Sequence, residues 1–245
     1  MLRVFFFIFF VVKLCLSMPK SPSKVNFELR VADYVDFPSI ATFLSNEMYP
    51  KNIRDTQKRE LSRLELKDIR SRYRNDNGNL ISNNANGAGA MIIAEEDSFV
   101  VGCVGIDLQI LDKSTNKIGK YDAFINNEDN EIVVPILANL AVKRERRRQG
   151  IAKALLKYCD SFVQESNFNE LYLLVNEENT SAYKLYNKSG YKKIFVDEDA
   201  TCVVPGEFNL RTESCTNICM RKTISSISNT NPKDFLGNIF SGFKF

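Results

Sequence analysis

Histidine is absent from the 245-residue sequence, and that absence removes several kinds of chemistry at once. Ser-His-Asp triads, Cys-His nucleophile pairs, His-x-Glu deaminase sites and His-based zinc proteases all need an imidazole. Chemistry must come from carboxylates, Tyr, Cys, Lys or the backbone. Cys103, Cys159, Cys202, Cys215 and Cys219 have no His to activate them as nucleophiles. An excess of one charge sign is also missing: 33 Lys and Arg stand against 30 Asp and Glu, a net charge of +3. No overall field would hold the chain on nucleic acid. There is no repeat and no coiled-coil period, and the 44% hydrophobic content describes one ordinary globular domain with additions.

A long membrane-spanning run is missing as well. Arg3 precedes the apolar run Val4 to Val12, and Leu14-Cys15-Leu16-Ser17 offers small residues for cleavage, the layout of a secretory signal. Lys13 cuts the run short of the roughly 20 apolar residues needed to cross a bilayer. Residues 1–17 therefore read as a removed signal that leaves no stable membrane anchor. Residues 18–26 form a short basic linker containing Lys20 and Lys24, 27–224 the folded unit, and 225–245 a C-terminal tail.

Within the folded unit, strands and helices alternate. Val25, Phe27, Leu29 and Val31 alternate with polar residues and predict a half-buried strand. Asp36 before Phe37-Pro38 starts a helix that runs to about Met48. Leu61, Leu64, Leu66 and Ile69 mark an amphipathic helix within 51–74, its charges forming a solvated face. The Asn- and Gly-rich stretch at about 74–89 reads as a mobile insert. Strands are predicted at 91–94 and 99–111, followed by a polar loop from Asp112 to Asn130. The strand at 131–142 is nearly continuous apolar sequence. A helix follows it, with Ile151, Leu155, Cys159 and Phe162 facing the core. Further elements are a strand at 171–175, a helix at 179–188 stopped by Gly190, a strand at 191–196, and a last strand at 217–224 after a loop. The fold class is α/β of the α+β type, with a mixed, mostly antiparallel sheet flanked by helices.

The strand ending at Val142 feeds the turn Arg146-Arg147-Arg148-Gln149-Gly150-Ile151-Ala152, which opens a helix. A helix N-terminus offers unpaired N–H donors and a favourable dipole, which suits a pyrophosphate. Gly150 lets the backbone approach the phosphates, small Ala152 keeps that approach open, and Arg147 and Arg148 add charge. By charge alone, the run from Lys143 to Arg148 is a solvated loop or a nucleic-acid patch. The neighbouring strand, the Gly and the downstream pattern from Asn179 to Tyr191 together favour the anion seat, and nucleic-acid binding would call for interleaved aromatics or more basic excess.

At these residues the chain resembles the GNAT superfamily of N-acetyltransferases. That family's phosphate turn, Arg/Gln-x-x-Gly-x-Gly/Ala, stands here as Arg147-Arg148-Gln149-Gly150-Ile151-Ala152, with Ala where Gly is commoner. Leu140-Ala141-Val142 matches the strand that pairs with pantetheine. A second motif, Asn-x-x-Ala-x-x-x-Tyr followed by Gly-Phe/Tyr, appears as Asn179, Ala182, Tyr186, Gly190 and Tyr191. The resemblance covers about Phe27 to Ile224, most firmly Ile136 to Phe195.

It implies acetyl-CoA as co-substrate, no metal, and transfer of the acetyl group to a primary amine by direct attack. Protein N-termini or lysines are favoured over small amines as acceptors. Tyr186 would protonate the leaving thiolate, although a Tyr there could simply pack its helix on the sheet. Asn179 would hydrogen-bond the pantetheine arm, and it also suits an N-cap. No general base is selected from Glu131, Glu177 and Glu178. Cys159 lies on the core stripe, and pairing among Cys202, Cys215 and Cys219 stays open.

Two other functions fit parts of the sequence: a non-catalytic acetyl-CoA-binding regulator, and a secreted module stapled by disulfides. Asn179-Thr180-Ser181 and Asn187-Lys188-Ser189 are N-glycosylation acceptors, and a glycan on Asn179 would occupy the cofactor groove. That conflict, with the leader, points to onward import into a plastid-like organelle, with residence in the secretory pathway or secretion as the alternative. The motif half also resembles plastid and cyanobacterial members of the superfamily.

Overall fold

The structure is a computed structural model, and it describes residues 26–73, 89–120 and 130–224. The predicted signal, most of the basic linker, the insert up to residue 88 and the tail lie outside the described residues. In chain order the elements are β1 (Glu28–Val31), α1 (Phe37–Glu47), α2 (Asp55–Arg72), β2 (Gly89–Glu96), β3 (Phe99–Asp112), β4 (Lys117–Lys120), β5 (Glu131–Val142), α3 (Ile151–Glu165), β6 (Glu170–Asn176), α4 (Thr180–Lys188), β7 (Lys192–Pro205) and β8 (Leu210–Thr223). One sheet takes them in the order β1-β2-β3-β5-β6-β8-β7, with β4 paired to the far end of β3. Every pairing is antiparallel except β5 with β6, which α3 joins as a crossover.

The period-2 alternation of the strands sends side chains to two different cores. Met91, Ile93, Cys103 and Ala141 face α1 and α2, where Ile40, Leu44, Ile69 and Tyr73 are buried. Ile92, Ala94, Val104, Ile106, Leu137, Leu173 and Met220 belong to the core of α3 and α4. The α3 stripe is as the sequence predicts, with Ile151, Leu155, Cys159 and Phe162 all buried. Cys159 is a fully buried thiol in that core.

Three sequence readings are corrected. The loop expected between Asp112 and Asn130 contains β4, a short edge strand whose Lys117 and Lys120 flank Ile118 and hide the alternation. Gly89, assigned to the insert, opens β2 and is buried. The hairpin of β7 and β8 is far longer than 191–196 and 217–224, running from Lys192 to Thr223 with a tip at 206–209. Most of its distal residues are exposed or half-buried, so charges occupy both faces and no apolar period survives to be read. Its tip is nonetheless tied down: Gln57 Nε2 at the start of α2 donates to Gly206 O at 2.8 Å and Asn209 O at 3.2 Å. The Arg54 guanidinium lies 4.5 Å over the Phe208 ring.

Candidate active site

The parallel ladder between β5 and β6 consists of two residue pairs, Ile136 with Tyr172 and Leu137 with Leu173. Beyond Leu137, β5 stays with β3, and beyond Leu173, β6 stays with β8. The two strands therefore part. The departure coincides with a bulge in β5, where Asn139 and Leu140 stand opposite the single residue Val104 and Asn139 takes φ of 55°. The Asn139 side chain donates to the Tyr73 hydroxyl at 3.4 Å, and its carbonyl accepts from the Cys103 thiol at 3.5 Å. Leu140, Ala141 and Val142, the predicted pantetheine strand, thus line the opened seam on a β5 edge that β6 no longer covers.

The N-terminus of α3 stands at the end of that edge. Gly150 caps the helix with φ of 91°, a conformation that favours glycine, and a Cβ added there would meet no atom within 4 Å. Ala154 N is the first donor to bond inside the helix, to Gly150 O at 3.0 Å, and no side chain caps the end. The N–H groups of Ile151, Ala152 and Lys153 are left facing outward from the turn. Buried Ile151 pins the helix start to β3, because Gly102 has no side chain: a Cβ there would come within 2.9 Å of Ile151 Cγ2.

The basic residues of the turn divide into different jobs. Arg147 Nε donates to Val142 O at 3.0 Å and its Nη2 to Glu47 O at 3.1 Å, with the Glu47 carboxylate at 3.5 Å. It braces β5 against the end of α1. Arg144 pairs with the same Glu47, and Arg146 Nε donates to Glu96 Oε2 at 2.7 Å. Gln149 Nε2 donates to Glu145 O at 3.2 Å. Arg148, exposed and with φ of 65°, keeps its place beside Gly150 in the turn.

Across the seam, Asn179 follows β6 and caps α4, accepting a bond from Ala182 N to its Oδ1 at 3.1 Å, so the N-cap reading holds and Nδ2 remains a donor. Tyr186, about two helical turns further on, is 7% exposed and packs edge-on against the Tyr191 ring at 5.8 Å. Burial, helped by the nearby Cys159, holds its hydroxyl protonated well above the ordinary tyrosine range. Tyr186 sits in the apolar cluster that also contains Leu137 and Leu173, the pair at which the seam closes. Of the carboxylates considered as base, Glu131 lies at the far end of β5, while Glu177 and Glu178 are exposed just past β6.

A carboxylate the sequence reading passed over lies on α2, on the α1–α2 side of the sheet. Glu65, on α2, accepts from the Tyr49 hydroxyl at 3.3 Å. Burial, with Asp68 beside it, pushes its carboxyl above the usual range, against opposing pulls from the Tyr49 bond and Arg72. In a helix with so many charges, only knowledge of which face is covered separates Glu65 from its solvated neighbours. Among the described residues the five cysteines are free thiols: Cys219 is buried, while half-buried Cys202 and Cys215 lie on adjacent strands of the hairpin within each other's influence.

A mixed sheet that opens between its two parallel strands, beside an uncapped helix N-terminus, defines an α/β protein suited to an extended anionic ligand held along a strand edge and anchored at the helix. The sequence model of the Acetyltransferase (GNAT) family matches residues 51–191, and the chain belongs to that family. GCN5-related N-acetyltransferase 6, chloroplastic, of Arabidopsis thaliana is 38% identical over 56 residues, 23% of this chain and 19% of that protein. The match thus spans about a fifth of the curated relative. An N-acetyltransferase from Staphylococcus aureus Mu50 shares the fold with a TM-score of 0.51 at 10% identity, over 81% of this chain and 98% of that one. A GNAT-family acetyltransferase from the same organism gives 0.50 at 16%, over 82% and 100%.

Proposed function

We propose that the unit 27–224 is an N-acetyltransferase that moves the acetyl group of acetyl-CoA to a primary amine, with protein N-termini or lysines favoured over small amines. The observation that carries this reading is the seam. A two-pair parallel ladder opens beyond Leu137 directly beside the uncapped helix end at Gly150. Acetyl-CoA fits both features: its pyrophosphate suits the donors of Gly150, Ile151 and Ala152, and its pantetheine amides suit the free edge of Leu140, Ala141 and Val142. Arg148 and Gln149 flank the phosphates, Arg147 holds the turn to β5, and Asn179 offers its Nδ2 to the pantetheine arm.

In this reading the amine attacks the thioester carbonyl, N–H groups of β5 polarise that carbonyl, and Tyr186 supplies the proton that leaves with coenzyme A. Burial keeps this phenol in the protonated form a general acid needs, while weakening it as a donor until negative charge develops on the leaving sulfur beside it. Import into a plastid-like organelle is the compartment we infer, resting on the leader and on the chloroplastic name of the curated relative, with secretory residence as the alternative. Incubation of the full chain with acetyl-CoA, mixed peptides and polyamines, read by mass spectrometry, tests the transfer. Binding of acetyl-CoA without any acetylated product would replace it with the regulator reading.

A further inference from the structure

We propose that Glu65 takes the proton of the acceptor amine on the α1–α2 side of the open seam, with Tyr49 holding its carboxylate in place; this rests on the acetyl-transfer reading above. The position follows from how α2 is tied at both ends. Gln57 near its start is bonded to the tip of the β7–β8 hairpin, and Arg72 at its end forks onto Asp107 of β3, with Nη2 to Oδ1 at 2.9 Å and Nε to Oδ2 at 3.0 Å. In the sheet, β5 and β6 lie between β3 and that hairpin, so the middle of α2 crosses the seam. Glu65 is that middle: at 1.5 Å per residue it stands about 12 Å from Gln57 and about 10 Å from Arg72 along the helix axis.

Its height along the strands is fixed as well. The Cys103 thiol is pushed up chiefly by burial and further by the charge of Glu65, and Cys103 pairs with Ala141, four residues past the last β5–β6 pair. Burial and Glu65 raise the Tyr49 hydroxyl, with a smaller push from Cys202 of β7, so Tyr49 lies toward the β7 side of α2. Packing alone gives no reason for a carboxylate here. Leu61 and Ile69, one turn to either side, are buried apolar residues, and Arg72 is already matched by Asp107 and Asp68. Glu65 makes no ion pair among the described residues, and the groups that face it are Tyr49, Asp68, Arg72 and Cys103.

At neutral pH a lysine or N-terminal amine arrives largely as ammonium and has no lone pair to attack with. Glu65 accepts one ammonium proton, the nitrogen bonds to the thioester carbon, and the C–S bond breaks. The Tyr186 proton goes to sulfur. The second nitrogen proton returns to Tyr186 as the amide forms, and Glu65 releases its own to solvent, so one proton is lost per turnover. Only ionised Glu65 works, so the rate falls as pH drops through its raised pKa. Burial that makes this carboxyl a better base also places the acidic limb nearer neutrality than an exposed glutamate would.

The test is the pH profile of the full chain with a peptide carrying one free N-terminus and one lysine, and with spermidine as the small amine. Glu65→Gln is expected to lower kcat/KM at pH 7 by roughly 100- to 10,000-fold, to erase the acidic limb, and to leave acetyl-CoA affinity unchanged. The deficit narrows toward pH 10, most for the peptide N-terminus, which is deprotonated in solution there, and less for lysine, whose ordinary pKa is about 10.4. Glu65→Asp keeps the limb with a smaller loss, which a merely structural role does not require. A folded Glu65→Gln protein that keeps the acidic limb and stays within about threefold of wild type, while Tyr186→Phe is impaired, overturns the assignment and spares the transferase reading. A wild-type chain that acetylates neither probe overturns both.

Discussion

Gly150 allows the cost of a backbone change to be separated from the cost of filling a ligand seat. Its φ of 91° is a conformation that a side chain strains, and a Cβ there meets nothing within 4 Å. Gly150→Ala therefore carries only the left-handed backbone penalty of about 1–2 kcal/mol. For a domain of this size that lowers the melting temperature by roughly 2–8 °C. Gly150→Glu carries the same backbone penalty and adds a carboxylate where the pyrophosphate is expected. At roughly 5 Å and an effective dielectric of about 20, each phosphate charge is repelled by about 3 kcal/mol, on the order of a 100-fold loss of affinity per charge. Thermal melts and isothermal titration with acetyl-CoA measure the two quantities separately. The expected pattern is similar melting temperatures for the two variants, with affinity abolished only in Gly150→Glu. A folded Gly150→Glu protein that binds acetyl-CoA like wild type refutes the seat.

Tyr186→Phe should lower kcat by roughly 10- to 10,000-fold at unchanged acetyl-CoA affinity, measured under saturating cofactor; near wild-type turnover would show that water protonates the thiolate. Asp107→Ala removes the buried partner of Arg72 and leaves only Asp68, so denaturant titration should show a loss of about 3–5 kcal/mol. The Arg30 guanidinium bonded to Asp36 holds that carboxyl below its ordinary 3.8. The stability this confers is present above that value and lost as pH falls through the folded pKa, so the deficit of Asp36→Asn should shrink on acidification from pH 6 to pH 3, followed by thermal melts. Imaging a C-terminally tagged chain beside organelle markers tests the compartment, and confinement to the endoplasmic reticulum with glycosylated Asn179 ends the plastid reading.

The catalytic half of the fold was legible because its signals are strong and local. The apolar run at 131–142 has the composition of a doubly covered strand, and Ile151, Leu155, Cys159 and Phe162 keep helical spacing over the length of α3. Asn179 as cap followed from residue type alone. What escaped notice depends on partners distant in sequence. The sequence shows Arg147 only as a charge suited to phosphate, and its bond to Glu47 of α1, 100 residues away, is not legible there. The outer hairpin reads as loop because its pairing rests on backbone bonds between exposed strands, and its tip is held by Gln57, 149 residues from Gly206. Glu65 needed the crossing of α2 over the sheet before it could be told from the other charges of its helix.

The two-pair ladder between β5 and β6 has a consequence for how the molecule behaves without a ligand. On one side of it lie five strands joined by antiparallel pairings alone, and on the other lie three. So little backbone bonding joins the two groups that they are, mechanically, a pair of smaller sheets leaning together, held by α3 behind and by the α2 clasp in front. Amide protons should then exchange in two blocks divided at Leu137 and Leu173 rather than in one. A molecule lying along the exposed edge of β5 would act as mortar in that joint, and its arrival would slow exchange in both blocks together.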